Sequence, residues 1–142
     1  MDSKTLTTLV FYCGIGHIIL SVASLAIPKV LSWSQHLKNL PPLLRQMFWT
    51  YAAYILVINF CFGVISIIAS GELLNKSILA KGITFFIAMY WLARIGIQFF
   101  YFDRTMAPKG LIYTLGEVAL VALFALFTIV YLASFLYNNS WI

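Results

Sequence analysis

Apolar residues run on in this chain rather than alternating with polar ones. Four stretches, about 6–27, 44–69, 78–102 and 111–137, are dominated by aliphatic and aromatic side chains. Each reaches or exceeds the roughly 20 residues that a helix needs to cross about 30 Å of hydrocarbon. A helix is also the element that pairs its own backbone groups where no water can do so. The connections are short, and short links force neighbouring helices antiparallel. The pattern therefore predicts an all-α integral membrane protein, a single domain over residues 1–142 built as an antiparallel bundle of four transmembrane helices. The first stretch follows a lone Lys4 and ends near Ser24-Leu25-Ala26, which has the look of a signal-peptide cleavage site. Its apolar run is longer than the ~7–15 residues of a signal sequence, so a true span is expected.

The links carry their own patterns. From Pro28 to Leu40, closed by Pro41-Pro42, the residues Val30, Trp33, Leu37 and Leu40 recur at helical spacing. Lys29, Ser32, Gln35, His36 and Asn39 fall largely on other faces. This predicts a short amphipathic helix in the membrane interface between the first and second spans, with Trp33 and Leu37 toward the apolar side. The prolines would set its ends, since proline removes a donor and disfavours helix in the residue before it. Ser70-Gly71-Glu72 predicts a turn, and Asp103 to Gly110 a tight loop containing Pro108.

Composition agrees. Hydrophobic residues make up 63% of the chain and charged residues 9%, against about 25% charged in soluble domains. The net charge is +5, but the bases lie mostly between the apolar stretches. Anionic lipid headgroups are therefore the expected partner. Nucleic acid is not, because no polar domain offers a surface for it. Lys29, Lys38, Arg45, Arg104 and Lys109 fall on one side, and Lys4, Lys76 and Lys81 on the other. The excess predicts that loops 28–43 and 103–110 are cytoplasmic and both termini lie on the opposite side. Cys13 and Cys61 sit inside apolar stretches and read as small hydrophobes. No HxxxH, ExxH or CxxC cluster exists and His17 and His36 are the only histidines, so neither a metal site nor haem is expected and no cofactor is implied.

Candidate chemistry lies in the polar residues within the spans. Small and polar residues recur at helical spacing in each: Gly14, His17, Ser21 and Ser24; Asn59, Gly63, Ser66 and Ser70; Tyr90, Arg94, Gln98 and Tyr101; Thr114, Glu117, Thr128 and Tyr131. Such stripes face helix neighbours rather than lipid, and should define the inside of the bundle. Arg94 and Glu117 are costly in a bilayer unless paired. At 1.5 Å rise per residue they lie roughly 12 Å and 9 Å below the same surface on adjacent antiparallel spans. An ion pair is expected, direct or through one bridging group. His17 is deeper, at about 16 Å, and Asn59 deeper still, near 22 Å. These residues predict a polar pocket or proton path formed by Arg94, Glu117, His17, Gln98, Tyr90 and Asn59.

The leading functional expectation is binding or transport of a lipophilic molecule, its head at Arg94 and its orientation or proton set by Glu117 and His17. Two alternatives stand beside it. One is a structural or accessory subunit of a membrane complex, or a homo-oligomer, in which the charges only fix packing. The other is a small membrane enzyme acting on a lipid-like substrate, with Glu117 or His17 as acid–base, since such chemistry needs only a perturbed ionisable group.

Overall fold

The computed structural model describes residues 2–102 and 109–142. It is helical throughout its regular structure: α1 (Ser3–Ser24), α2 (Ile27–Val30), α3 (Trp33–His36), α4 (Pro42–Ile68), a 3-10 turn (Glu72–Leu74), α5 (Ile78–Phe100) and α6 (Leu111–Asn138). Four helices are long and apolar enough to cross a membrane. Their ends follow local chemistry. Pro41 and Pro42 open α4, where a missing N–H costs nothing. Ser77 caps α5 by accepting from the Ala80 amide at 3.1 Å. Gly110, at φ 141°, starts α6 in a conformation that only glycine adopts readily. Asp103, Arg104 and Pro108 of the third link lie outside the described residues. Within the helices, Ser21, Thr84, Thr128 and Ser134 each donate a hydroxyl to the carbonyl one turn back. That satisfies them without water.

The first link differs from expectation. Instead of one amphipathic helix there are two single turns, α2 and α3, broken at Ser32, whose φ is +53°. The break lets Trp33 turn onto the start of α4, where its ring lies 4.9 Å from Phe48 and 5.7 Å from Trp49. Aromatic packing against α4 has overridden the continuous periodicity. Trp33 and Leu37 are partly covered, as their spacing predicts, but Val30 and Leu40 of the same predicted face are exposed.

The helices associate as two hairpins. α1 packs along α4, α5 packs along α6, and the hairpins meet chiefly along α1 and α6. The α1–α4 contact is closest at two glycines. A Cβ on Gly63 would lie 2.6 Å from Ile18 Cδ1 and 3.0 Å from the Gly14 carbonyl oxygen, and one on Gly14 3.0 Å from the Gly63 carbonyl oxygen. In three helices the buried positions concentrate at one end of the bundle, Asn59 to Ser66 of α4, Ala80 to Trp91 of α5 and Phe124 to Asn138 of α6, while in α1 they run from Leu6 to Ser21 along most of the helix. Leu73 and Leu74 of the 3-10 turn plug that end. Asn138 holds the plug, donating Nδ2 to the Leu73 carbonyl at 2.8 Å while its Oδ1 accepts from the Lys76 amide at 3.1 Å. Toward the other end the hairpins part, and residues 42–58, 92–100 and 111–123 contribute no buried side chain.

Candidate functional site

Two polar groups form inside the bundle, and they are separate. The first lies between α5 and α6, where the hairpins begin to part. Arg94 Nη1 donates to Gln98 Oε1 at 3.1 Å, and Gln98 Nε2 donates to Glu117 Oε1 at 3.1 Å. Arg94 and Glu117 are thus linked by one bridging amide, and a direct ion pair between them is not among the contacts of the described residues. Gln98 is one turn beyond Arg94 on the same face of α5, so its amide spans to α6 while accepting from the guanidinium. Arg94 is half-buried. Its guanidinium carbon lies 5.1 Å from the centre of the Phe102 ring and 5.3 Å from that of Phe124. The ring quadrupoles favour a cation there. Of its five N–H donors, Nη1 alone bonds to the protein among the described residues.

The second group surrounds His17, which is 0% exposed. Trp91 Nε1 donates to His17 Nε2 at 2.9 Å, and His17 Nδ1 lies 2.8 Å from the Cys13 carbonyl. Indole is only a donor, so Nε2 carries no proton and Nδ1 does. His17 is therefore neutral, with both nitrogens engaged. Its ring stacks on Phe127 at 3.9 Å and meets Phe62 and Tyr131 edge-on. Tyr131 in turn shares a hydroxyl hydrogen bond with Ser66, tying α6 to α4.

Between the groups stands an apolar layer. Phe124, under the Arg94 guanidinium, stacks on Trp91 at 4.8 Å, and Trp91 bonds His17. The polar residues do not form one hydrogen-bonded chain from Arg94 to His17 among the described residues. Tyr90 is half-buried, its ring 5.2 Å from both Phe62 and Trp91. Asn59 is 7% exposed, and its Oδ1 has no hydrogen-bond partner among the described residues. Of the six sequence candidates, the fold brings Arg94, Gln98 and Glu117 together, places Tyr90 one turn deeper, and puts His17 in the aromatic cage. It shows no bond between Asn59 and either group. Sequence reasoning missed Trp91, Phe102, Phe124 and Phe127. The i, i+3, i+7 spacing of Phe124, Phe127 and Tyr131 was a readable signal for an aromatic face on α6.

Among the described residues, no group of three or more His, Cys, Asp or Glu side chains is placed to hold a metal ion. No protein-family model, curated protein or solved structure matches this chain.

Proposed function

We propose that this chain is a multi-pass membrane protein that binds an amphiphile by its anionic head at Arg94. One observation carries the reading: a half-buried guanidinium inside an apolar helix, within about 5 Å of two aromatic rings, with one hydrogen bond to the protein among the described residues. An intramembrane arginine demands a polar partner, and the fork of N–H groups fits a phosphate or carboxylate. Arg94 lies about 9 Å from the end of α5 at 1.5 Å per residue, within reach of a headgroup drawn slightly inward. Gln98 fixes the guanidinium plane, and Glu117 fixes Gln98. The ligand tail lies against the exposed faces where the hairpins part. In this reading His17 is a packing anchor between hairpins and moves no proton, because both its nitrogens are occupied. The basic links 28–43 and 103–110 remain the proposed cytoplasmic side.

The test is lipid retention measured by native mass spectrometry from nanodiscs mixing phosphatidylglycerol with phosphatidylcholine. Wild-type protein should retain the anionic lipid preferentially. Arg94→Met should reduce that retention roughly tenfold or more, the scale of one lost charge-assisted hydrogen-bond pair. Arg94→Lys should keep part of it. Equal retention by Arg94→Met and wild type would reject the site.

A second reading, an accessory subunit of a membrane complex, is favoured by the first half of α4. Leu43, Met47, Tyr51, Tyr54 and Ile58 recur at helical spacing along one face of the helix, and all five are exposed. Co-purification of a stoichiometric protein partner that is lost on Tyr54→Ala would support it.

A further inference from the structure

At the end of the bundle opposite Arg94, α4 and α5 leave a groove. These helices follow one another in the chain but share no close backbone packing. Two adjoining cavities open between them. The outer one, of about 370 Å³, is lined by Ile68, Ala69, Gly71, Glu72 and Asn75. The inner one, of about 210 Å³, shares Glu72 and Asn75 and continues past Ile65, Leu79 and Ile83. The lining thus turns from polar at the mouth to apolar below. Deeper in the bundle, Phe62 reaches across from α4 to Phe86 and Tyr90 of α5, with ring centres 5.9 and 5.2 Å apart. Phe62 lies about two turns before Ala69, which puts this ring floor roughly 10 Å below the mouth.

The mouth is electronegative. Glu72 is exposed there. Helix α4 ends at Ile68, so the negative end of its dipole opens onto the same space. Among the described residues no lysine lines either cavity. Lys76 Nζ donates to Ser140 Oγ at 3.1 Å and lies over the Tyr137 ring, and Lys81 lines neither cavity. Asn75 Oδ1 accepts from the Ser77 amide at 3.0 Å, which leaves the Asn75 N–H groups to donate outward.

We propose that this groove holds a phospholipid with a primary ammonium headgroup, of the phosphatidylethanolamine class. The ammonium sits on the Glu72 carboxylate and the helix end, the phosphate accepts from Asn75, and one acyl chain runs between Ile65 and Ile83 to the Phe62 floor. An anionic headgroup would meet a carboxylate and a helix C-terminus with no lining cation, so the site discriminates by charge. It is independent of Arg94, which lies at the other end of α5.

The experiment uses the full chain in nanodiscs of phosphatidylethanolamine and phosphatidylglycerol with identical acyl chains, and reads co-purifying lipid by native mass spectrometry. Wild type should retain phosphatidylethanolamine over phosphatidylglycerol beyond what the Arg94 end takes. Glu72→Gln should lower that preference about two- to fivefold, as expected for one exposed ion pair. Leu79→Trp, a substitution at a position already 71% exposed and so tolerated by the fold, should fill the inner cavity and lower phosphatidylethanolamine retention. Arg94→Met should lower the bound phosphatidylglycerol of its own end without lowering bound phosphatidylethanolamine. An unaltered preference in Glu72→Gln, or undiminished retention in Leu79→Trp, would overturn the proposal. So would loss of phosphatidylethanolamine in Arg94→Met, which would place that lipid at the other end.

Discussion

Gly14 and Gly63 sit where two helix backbones come closest, and the consequence is specific to those positions. A methyl group on Gly63 would meet the Gly14 carbonyl oxygen at 3.0 Å as well as Ile18. The side chain could rotate away, but the carbonyl belongs to the helix ladder and cannot. Gly63→Ala should therefore destabilise the protein by about 1–3 kcal/mol, the usual cost of overpacking. Gly82 has nothing within 4 Å of a Cβ. Gly82→Ala should be neutral or stabilising by up to about 1 kcal/mol, from helix propensity. Reversible unfolding in detergent compares the two directly, and equal effects would contradict the packing. In sequence both are glycines inside apolar stretches. Gly63 and Gly14 are marked out in the sequence because polar residues recur at helical spacing beside them. His17 was legible in the same way as a residue turned inward, but its partner was not: Trp91 is the tryptophan set deepest in an apolar stretch, yet nothing in the sequence pairs it with His17.

At the scale of elements, α5 shows where pattern reading fails. The stripe Tyr90, Arg94, Gln98 and Tyr101 was expected to face inward. The buried face is Ala80, Thr84, Ile87, Ala88 and Trp91. Tyr90, Arg94 and Gln98 are only half-covered, and Tyr101 is 81% exposed. The stripe is real as a line along the helix, but it runs along the boundary of the packed face. In lipid, apolar surface carries no penalty for facing outward, so hydrophobicity does not say which side packs. The link before α5 carries the turn signal Ser70-Gly71-Glu72. It continues into a 3-10 turn whose Leu73 and Leu74 seal the bundle, clasped by Asn138 from the far end of the chain. Asn138→Ala should leave the Leu73 carbonyl and Lys76 amide without those partners and cost about 1–3 kcal/mol locally. Hydrogen–deuterium exchange over residues 70–77 should speed up while α1 stays protected. Unchanged exchange there would show that the leucine plug holds without the clasp.

For the whole molecule, two hydrogen bonds join the hairpins among the described residues, Trp91–His17 and Ser66–Tyr131, beside the rings around His17 and the contacts of Phe62 with Phe86 and Tyr90. Trp91→Phe keeps an aromatic ring but removes the donor to a fully buried acceptor. It should cost about 1–3 kcal/mol and weaken association between hairpins while leaving their helices formed. Circular dichroism should stay near wild type as the unfolding midpoint falls, and an unchanged midpoint would remove His17 from the role of anchor. The sequence by itself determined that the chain is helical, how many long apolar helices it has, and where each begins and ends to within a few residues. Those properties follow from the length of apolar runs and from prolines, glycines and capping residues, all of which act locally. It also set Arg94 and Glu117 at nearly equal depth, because adjacent antiparallel helices of known rise fix relative depth, but not that Gln98 joins them. Only the tertiary structure decided that the bundle is two hairpins closed at one end and parted at the other. Only it decided that an aromatic layer separates Arg94 from His17. Both depend on the rotation of each helix about its own axis, which close packing of particular side chains sets and the one-dimensional pattern of an all-apolar helix leaves undetermined.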